Sequence, residues 1–193
     1  MKQLYISAFL SFFIVIKAQN KIDWTGNYQL RLSDFQSPAT QIGQTTIYSF
    51  HSGSGIDFSF FMSKAEFMFT KNFNSKVNCS FNRSAASIVA PDSAIAADLV
   101  NFARYDFDLL ELYARKFRKT LFEEKGAFSD VNFFKPIYDQ MQNEFAQRHT
   151  VAGKITDLGR NKEKLRELHH EVLIEMKLFS DFCKDCKPVK KKK

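Results

Sequence analysis

Asp106, Asp108 and Glu111 lie close together in the stretch Leu99 to Lys119, followed by Arg115 and Arg118, and the four histidines are His51, His149, His169 and His170. Carboxylates and imidazoles at helical spacing are the material of zinc hydrolysis. That chemistry needs two imidazoles one turn apart, a glutamate beside the first to activate water, and a third ligand from elsewhere. His170-Glu171 begins such a motif, but the second histidine position is Ile174. The pair His169-His170 therefore reads as solvated and not as a ligand set. His51 and His149 fall in segments with no clear partner. No Gly-x-Ser-x-Gly turn points to a serine nucleophile, and no glycine-rich loop points to phosphate binding. Cys183-Lys184-Asp185-Cys186 is a Cys-x-x-Cys pair at the end of a helical segment. A redox pair needs the start of a helix after a strand, so a local disulfide or two reduced thiols is favoured over redox catalysis. Cys79 alone remains as a further soft ligand, and it reads as a small core residue.

Two kinds of periodicity divide the chain that must position these groups. From Asn27 to about Val89 the pattern favours strands: Tyr28 to Leu32 alternates, Thr45 to Phe50 is β-branched and aromatic, and Ile56 to Phe61 follows Ser52-Gly53-Ser54-Gly55. These predict short strands of one antiparallel or mixed sheet. From Pro91 the pattern turns helical, with Pro91-Asp92-Ser93 as a start signal, a long helix over Ala94 to Phe122, and Gly126 as its stop. A second helix is predicted over Ser129 to Arg148, with Phe133, Ile137, Met141 and Phe145 at fours, and a third over Asn161 to Phe182. Strands followed by helices imply an α+β fold.

The run from Leu99 to Lys119 carries a resemblance. With Phe102-Ala103-Arg104-Tyr105-Asp106-Phe107-Asp108 and Glu111-Leu112-Tyr113-Ala114-Arg115-Lys116-Phe117-Arg118-Lys119, it resembles a pattern running His-Glu-x-Gly-His-Phe-Asp-Ile-x-Glu-x-Tyr-Ala-Arg-Lys-Leu-Arg-Lys. That pattern belongs to a secreted bacterial domain-of-unknown-function family of predicted zincin-like metallopeptidases. Leu30 to Gln36 is similar to the family's Leu-x-Trp-x-Asp-Phe-x-Gly segment, with Leu32 for the tryptophan and Ser37 for the glycine. Val77 to Arg83 with Ser87-Ile88-Val89 is similar to its Val-x-Ala-x-Phe-Asp and Ser-Trp-Val pieces, and Thr156-Asp157-Leu158-Gly159 to its Thr-x-His-Gly. The resemblance implies a zincin-like α+β fold: a small twisted sheet, then a long active-site-type helix and two further helices. On its register Phe102 stands at the first histidine, Ala103 at the glutamate, Tyr105 at the glycine, Asp106 at the second histidine and Leu158 at the third. Phe102 and Leu158 offer no donor atom and Ala103 no base. The expectation is a pseudopeptidase with no catalytic residues, no metal and no other cofactor.

On the long helix, Phe102, Asp106, Leu109, Tyr113 and Phe117 share one face, and Asp106 is its polar exception. A buried carboxylate needs a hydrogen-bond donor, solvent or a proton. Asp106 is thus either the floor of a leftover cleft with Tyr105 and Leu109, or a solvated or capping aspartate.

Composition sets the wider frame. The first residues, Met1-Lys2-Gln3, precede an apolar run from Leu4 to Ile16 and then Lys17-Ala18-Gln19, the layout of a secretory signal peptide cleaved after Ala18. Thirteen helical residues rise about 20 Å, short of the roughly 30 Å of a hydrocarbon core. The division expected is a leader over 1–18, one domain over 19–183 and a basic disordered tail over 184–193. The formal charge of +7 lies at the ends: Lys2 and Lys17 fall in the leader and six lysines against Asp185 fall in the last ten residues, leaving the body formally neutral. That excludes a basic nucleic-acid face. Twenty-two phenylalanines supply a core, and those at 58, 60, 61, 67 and 69 read as core more readily than as a binding box. The sequence predicts an exported protein, periplasmic or secreted, acting as a binding module for peptide or an envelope protein. The alternatives are a hydrolase with a non-standard site around Asp106 and the histidines of the third helix, or a purely structural envelope protein.

Overall fold

Local hydrogen bonds decide which segments become regular structure. The computed structural model describes residues 20–58 and 61–188. The expected leader lies outside these residues, as does the tail from 189 onward. The alternating segment Tyr28 to Leu32 is not a strand. Asp34 draws the chain inward by accepting from the Tyr28 hydroxyl and the Arg31 backbone N–H while pairing with Arg83, so Leu32–Asp34 closes a 3-10 turn. Leu30 is still buried by that turn, between exposed Tyr28 and Leu32.

Six short strands form two three-stranded sheets rather than the one expected. In the first, β5 (Val77–Asn82) lies between β1 (Lys21–Asp23) and β4 (Ser54–Phe58), both antiparallel to it. In the second, β6 (Ser87–Ala90) lies between β2 (Gln41–Ile42), which is parallel to it, and β3 (Ser49–His51), which is antiparallel. The Phe67–Phe69 region is a short helix, α1 (Lys64–Phe69), because Ser63 caps it by accepting from the Glu66 N–H. Helical spacing then buries Phe67 and leaves Phe69 outside, whereas a strand would have turned both to one face.

The helical half begins where Asp92 accepts from the Ile95 N–H and caps α2 (Ser93–Glu124). This helix contacts strands of both sheets and also α3 (Phe134–Thr156) and α4 (Lys162–Lys177), which contact each other. It is the central element, and from Phe102 to Ala114 only Arg104 and Asp108 escape full burial. The single apolar stripe expected for it therefore understates its contacts. Buried residues of strands and helices join in one apolar cluster that includes Phe81, Ile88, Phe102, Leu109, Phe117 and Val172. The class is α+β. No helix among the described residues is long and apolar enough to cross a membrane.

The α3–α4 turn shows how tightly this packing is specified. Asp157, Leu158 and Gly159 all have positive φ, and a Cβ on Gly159 would stand 2.5 Å from the Asp98 carbonyl oxygen and 3.2 Å from Phe102 Cβ. The Thr156 hydroxyl bonds the Ala152 carbonyl and accepts from the Gly159 N–H, holding the turn against α2. G159A should therefore lower unfolding stability by about 1–3 kcal/mol through a strained backbone, read as a shift in the urea midpoint. An unshifted midpoint would show that the turn moves away from α2 at no cost.

Candidate functional site

The helix geometry sets Phe102 and Asp106 one turn apart on α2, and the αL turn brings Leu158 to them. A Cβ on Gly153 of α3 would lie 3.3 Å from Leu158 Cδ2 and 3.5 Å from Phe102 Cζ, so these apolar groups pack around one point. The Phe102 ring is edge-on to Phe50 and His149 at centroid distances of 5.6 Å. Ala103, Tyr105 and Leu109 are buried with it. Tyr105, Asp106 and Leu109 are all buried positions of α2.

Asp106 is 0% exposed, and both of its oxygens are used. Ser52, in the β3–β4 connection, donates from Oγ to Oδ2 at 2.7 Å, and His149 Nδ1 lies 2.6 Å from Oδ1. A carboxylate only accepts, so Nδ1 carries the proton. The hydrogen bond that Asp106 accepts raises the His149 pKa above its ordinary value, against the opposing effect of burial. His149 therefore has a partner, contrary to the sequence expectation. The second helix was expected to stop at Arg148, but the chain stays helical to Thr156 because Gly153 is tolerated inside the helix where Leu158 and Phe102 crowd it. The stripe Ile137, Met141, Phe145 continues directly to His149 and Ala152, and following it would have found the contact.

A second pair lies on the adjoining face of α2. His169 Nε2 of α4 is 2.6 Å from Asp108 Oδ2, and Trp24 Nε1 donates to Asp108 Oδ1 at 2.7 Å. His169 is thus not one of a solvated pair, whereas His170 and His51 are exposed. The Tyr105 ring stands edge-on to His169 at 6.0 Å, and its hydroxyl is pushed up to about 12, chiefly by burial. Further along, Glu111 accepts from Arg115 and Arg118, and Glu175 pairs with Lys116 and Arg148. Arg118, for which the sequence suggested no partner, reaches across the core to Val77 and Phe182.

The Cys183 and Cys186 sulfurs are bonded as a disulfide. Asn74 donates to the carbonyls of Asp181 and Cys186, tying this segment to the start of β5. Cys79 is a free buried thiol whose pKa burial raises well above the usual range. Of the phenylalanines weighed as core or binding box, Phe58 and Phe67 pack in the interior and Phe61 and Phe69 are exposed; Phe58, Phe61 and Phe67 line part of an apolar cavity of 450 Å³. Phe60 lies outside the described residues.

These donors fit a metal poorly. Asp106–His149 and Asp108–His169 are two-donor pairs already closed by hydrogen bonds, and no group of three or more His, Cys, Asp or Glu side chains among the described residues could hold a metal ion. The side chains of Phe102 and Leu158 offer carbon where a zinc ligand needs nitrogen, oxygen or sulfur. Nor does the first pair form a serine hydrolase arrangement: Ser52 gives its hydrogen to the aspartate and not to the imidazole, so a nucleophile–base contact is absent. No family model, curated protein or solved structure matches this chain.

Proposed function

We propose that this chain is a catalytically inactive relative of zincin-like peptidases, exported to the cell envelope, where it serves as a peptide- or protein-binding module. The observation that carries this reading is the convergence of Phe102 and Leu158 at one packed point, with Asp106 consumed by Ser52 and His149 one turn along. The residues shared with the peptidase pattern have tasks that need no metal: Asp108 binds Trp24 and His169, and Glu111 binds Arg115 and Arg118. A scaffold that keeps these contacts while losing its ligands is suited to holding a partner and not to cleaving one. The Cys183–Cys186 disulfide supports an oxidising compartment.

The test is metal content and hydrolysis measured together. Mature protein purified without chelator, then re-exposed to zinc and dialysed, should carry substoichiometric zinc and leave a mixed peptide substrate uncut. One tightly bound zinc per chain with peptide cleavage would overturn the reading. The Asp106–His149 contact favours a second reading, a hydrolase in which the aspartate orients the imidazole as base. That reading requires turnover of ester or peptide substrates that H149Q abolishes.

A further inference from the structure

Beyond the buried pairs, a cleft between α2, α4 and the segment before the first 3-10 turn has the composition of an anion receptor. Its wider part, 340 Å³, is lined by Asn101, Arg104, Lys162, Arg166, His169 and Gln29 among others, and contains no carboxylate. Lys162 is partly neutralised by Asp98 at 3.1 Å. The two arginines are not neutralised. Arg104 bonds only the Leu30 carbonyl and the Asn101 side-chain oxygen, which are neutral, and Arg166 has no bonded partner among the described residues. A guanidinium with neutral partners keeps its full charge and a free edge for a planar oxyanion. At Gln29, Arg104 and His169 this space meets a second cavity of 180 Å³, walled by Tyr28, Leu30, Phe107 and Leu173. The one acid there, Asp108, is already held by Trp24 and His169. An apolar cavity of about 150 Å³ accepts a benzene ring, so the smaller space has room for one large apolar side chain.

We infer that this cleft binds the C-terminus of an extended peptide, its α-carboxylate against Arg104 and Arg166 and its last, apolar side chain in the Tyr28–Leu173 cavity. This names the ligand class for the binding role proposed above and rests on it. The mature chain is titrated into a fluorescein-labelled hexapeptide ending in a free Leu or Phe, into the same peptide C-terminally amidated, and into one ending in Asp. The free apolar terminus should bind, with amidation and terminal Asp each weakening binding by about tenfold or more. R166E, on an exposed side chain whose change leaves the fold intact, should weaken it likewise, and R104M should do so in protein that keeps its thermal midpoint. Equal binding of acid and amide, or no effect of R166E, overturns the inference. So does binding of inorganic phosphate that displaces nothing from the cleft while the peptides fail to bind. Capture followed by cleavage would leave this site standing and overturn the non-catalytic reading instead.

Discussion

Replacing Arg118 by methionine should destabilise the fold by about 3–5 kcal/mol, the cost of leaving one partner of a buried ion pair behind. The side chain is 0% exposed and its guanidinium joins three parts of the chain. It donates to Glu111 within α2 at 2.8 Å, to the Val77 carbonyl at the head of β5 at 2.9 Å, and to the Phe182 carbonyl at 3.1 Å. Methionine fills similar space but takes the guanidinium donor from two carbonyls and leaves Glu111 with Arg115 as its one cation among the described residues. Against the 5–15 kcal/mol typical of whole domains, that loss should appear as a large drop in the urea midpoint with an unchanged slope. The double variant E111L/R118M should recover part of it, because no buried carboxylate is then left with Arg115 in place of two cations. A midpoint for R118M within about 1 kcal/mol of the parent, the range of an exposed pair, would show that the network contributes nothing.

Arg118 also marks the boundary of what the residues alone disclose. The α+β order, the helix start at Pro91-Asp92-Ser93 and the length of α2 follow from patterns local to each segment, whereas for Asp106 the spacing left a cleft floor and a solvated aspartate both open. The partners of Asp106 do not follow from local pattern, because Ser52 and His149 come from a strand connection and another helix, 54 and 43 residues away. The same holds for Asp108, whose partners Trp24 and His169 flank α2 from 84 and 61 residues away. Alternation misled at Tyr28–Leu32 because it records burial and not strand pairing: Leu30 is inside either way, while the Asp34 side chain determines the backbone path. At α1 a single serine cap outweighed the strand-like Phe67–Phe69 pattern.

One consequence concerns how polar chemistry is distributed in this fold. The central helix buries Asp98, Asp106, Glu111 and Arg118, more charge than a core usually holds. Each finds its partner across an element boundary or along the helix, so these groups fix how α2 sits between the sheets and the α3–α4 pair. Arg104 and Arg166 of the cleft between α2 and α4 are the reverse case, charged and without a carboxylate partner among the described residues. The former belong to folding and the latter to recognition.

Replacing Asp106 by asparagine should cost about 2–4 kcal/mol at pH 6, because one of the two accepting oxygens becomes a donor that faces another donor in a fully buried position and the remaining bond is to a neutral acceptor, and should also change the pH dependence of what remains. The Asp106 hydrogen bond raises the folded pKa of His149 above the ordinary 6.5. A raised folded pKa means that the folded state binds this proton more tightly than the unfolded chain does. The resulting stability is complete below the unfolded value near 6.5 and is lost as pH rises through the folded value. Parent protein should therefore become easier to unfold across that window, and D106N should not show this decline. H149F preserves the ring contacts to Phe102 and Phe145 but leaves Asp106 with Ser52 alone, so it too should lose both stability and the pH slope. Urea midpoints from pH 5.5 to 8.5 supply the measurement, with imidazole resonances of His149 as the independent titration. A parent that gains stability with rising pH, or a D106N curve that overlays it, would show that Asp106 does not strengthen proton binding by His149. If both variants behave as expected, Asp106 and His149 hold α2 against α3 through Nδ1, and Nε2 is the nitrogen left for any role as a base, so it is the hydrolysis assay of H149Q, and not stability, that separates the two readings of this pair.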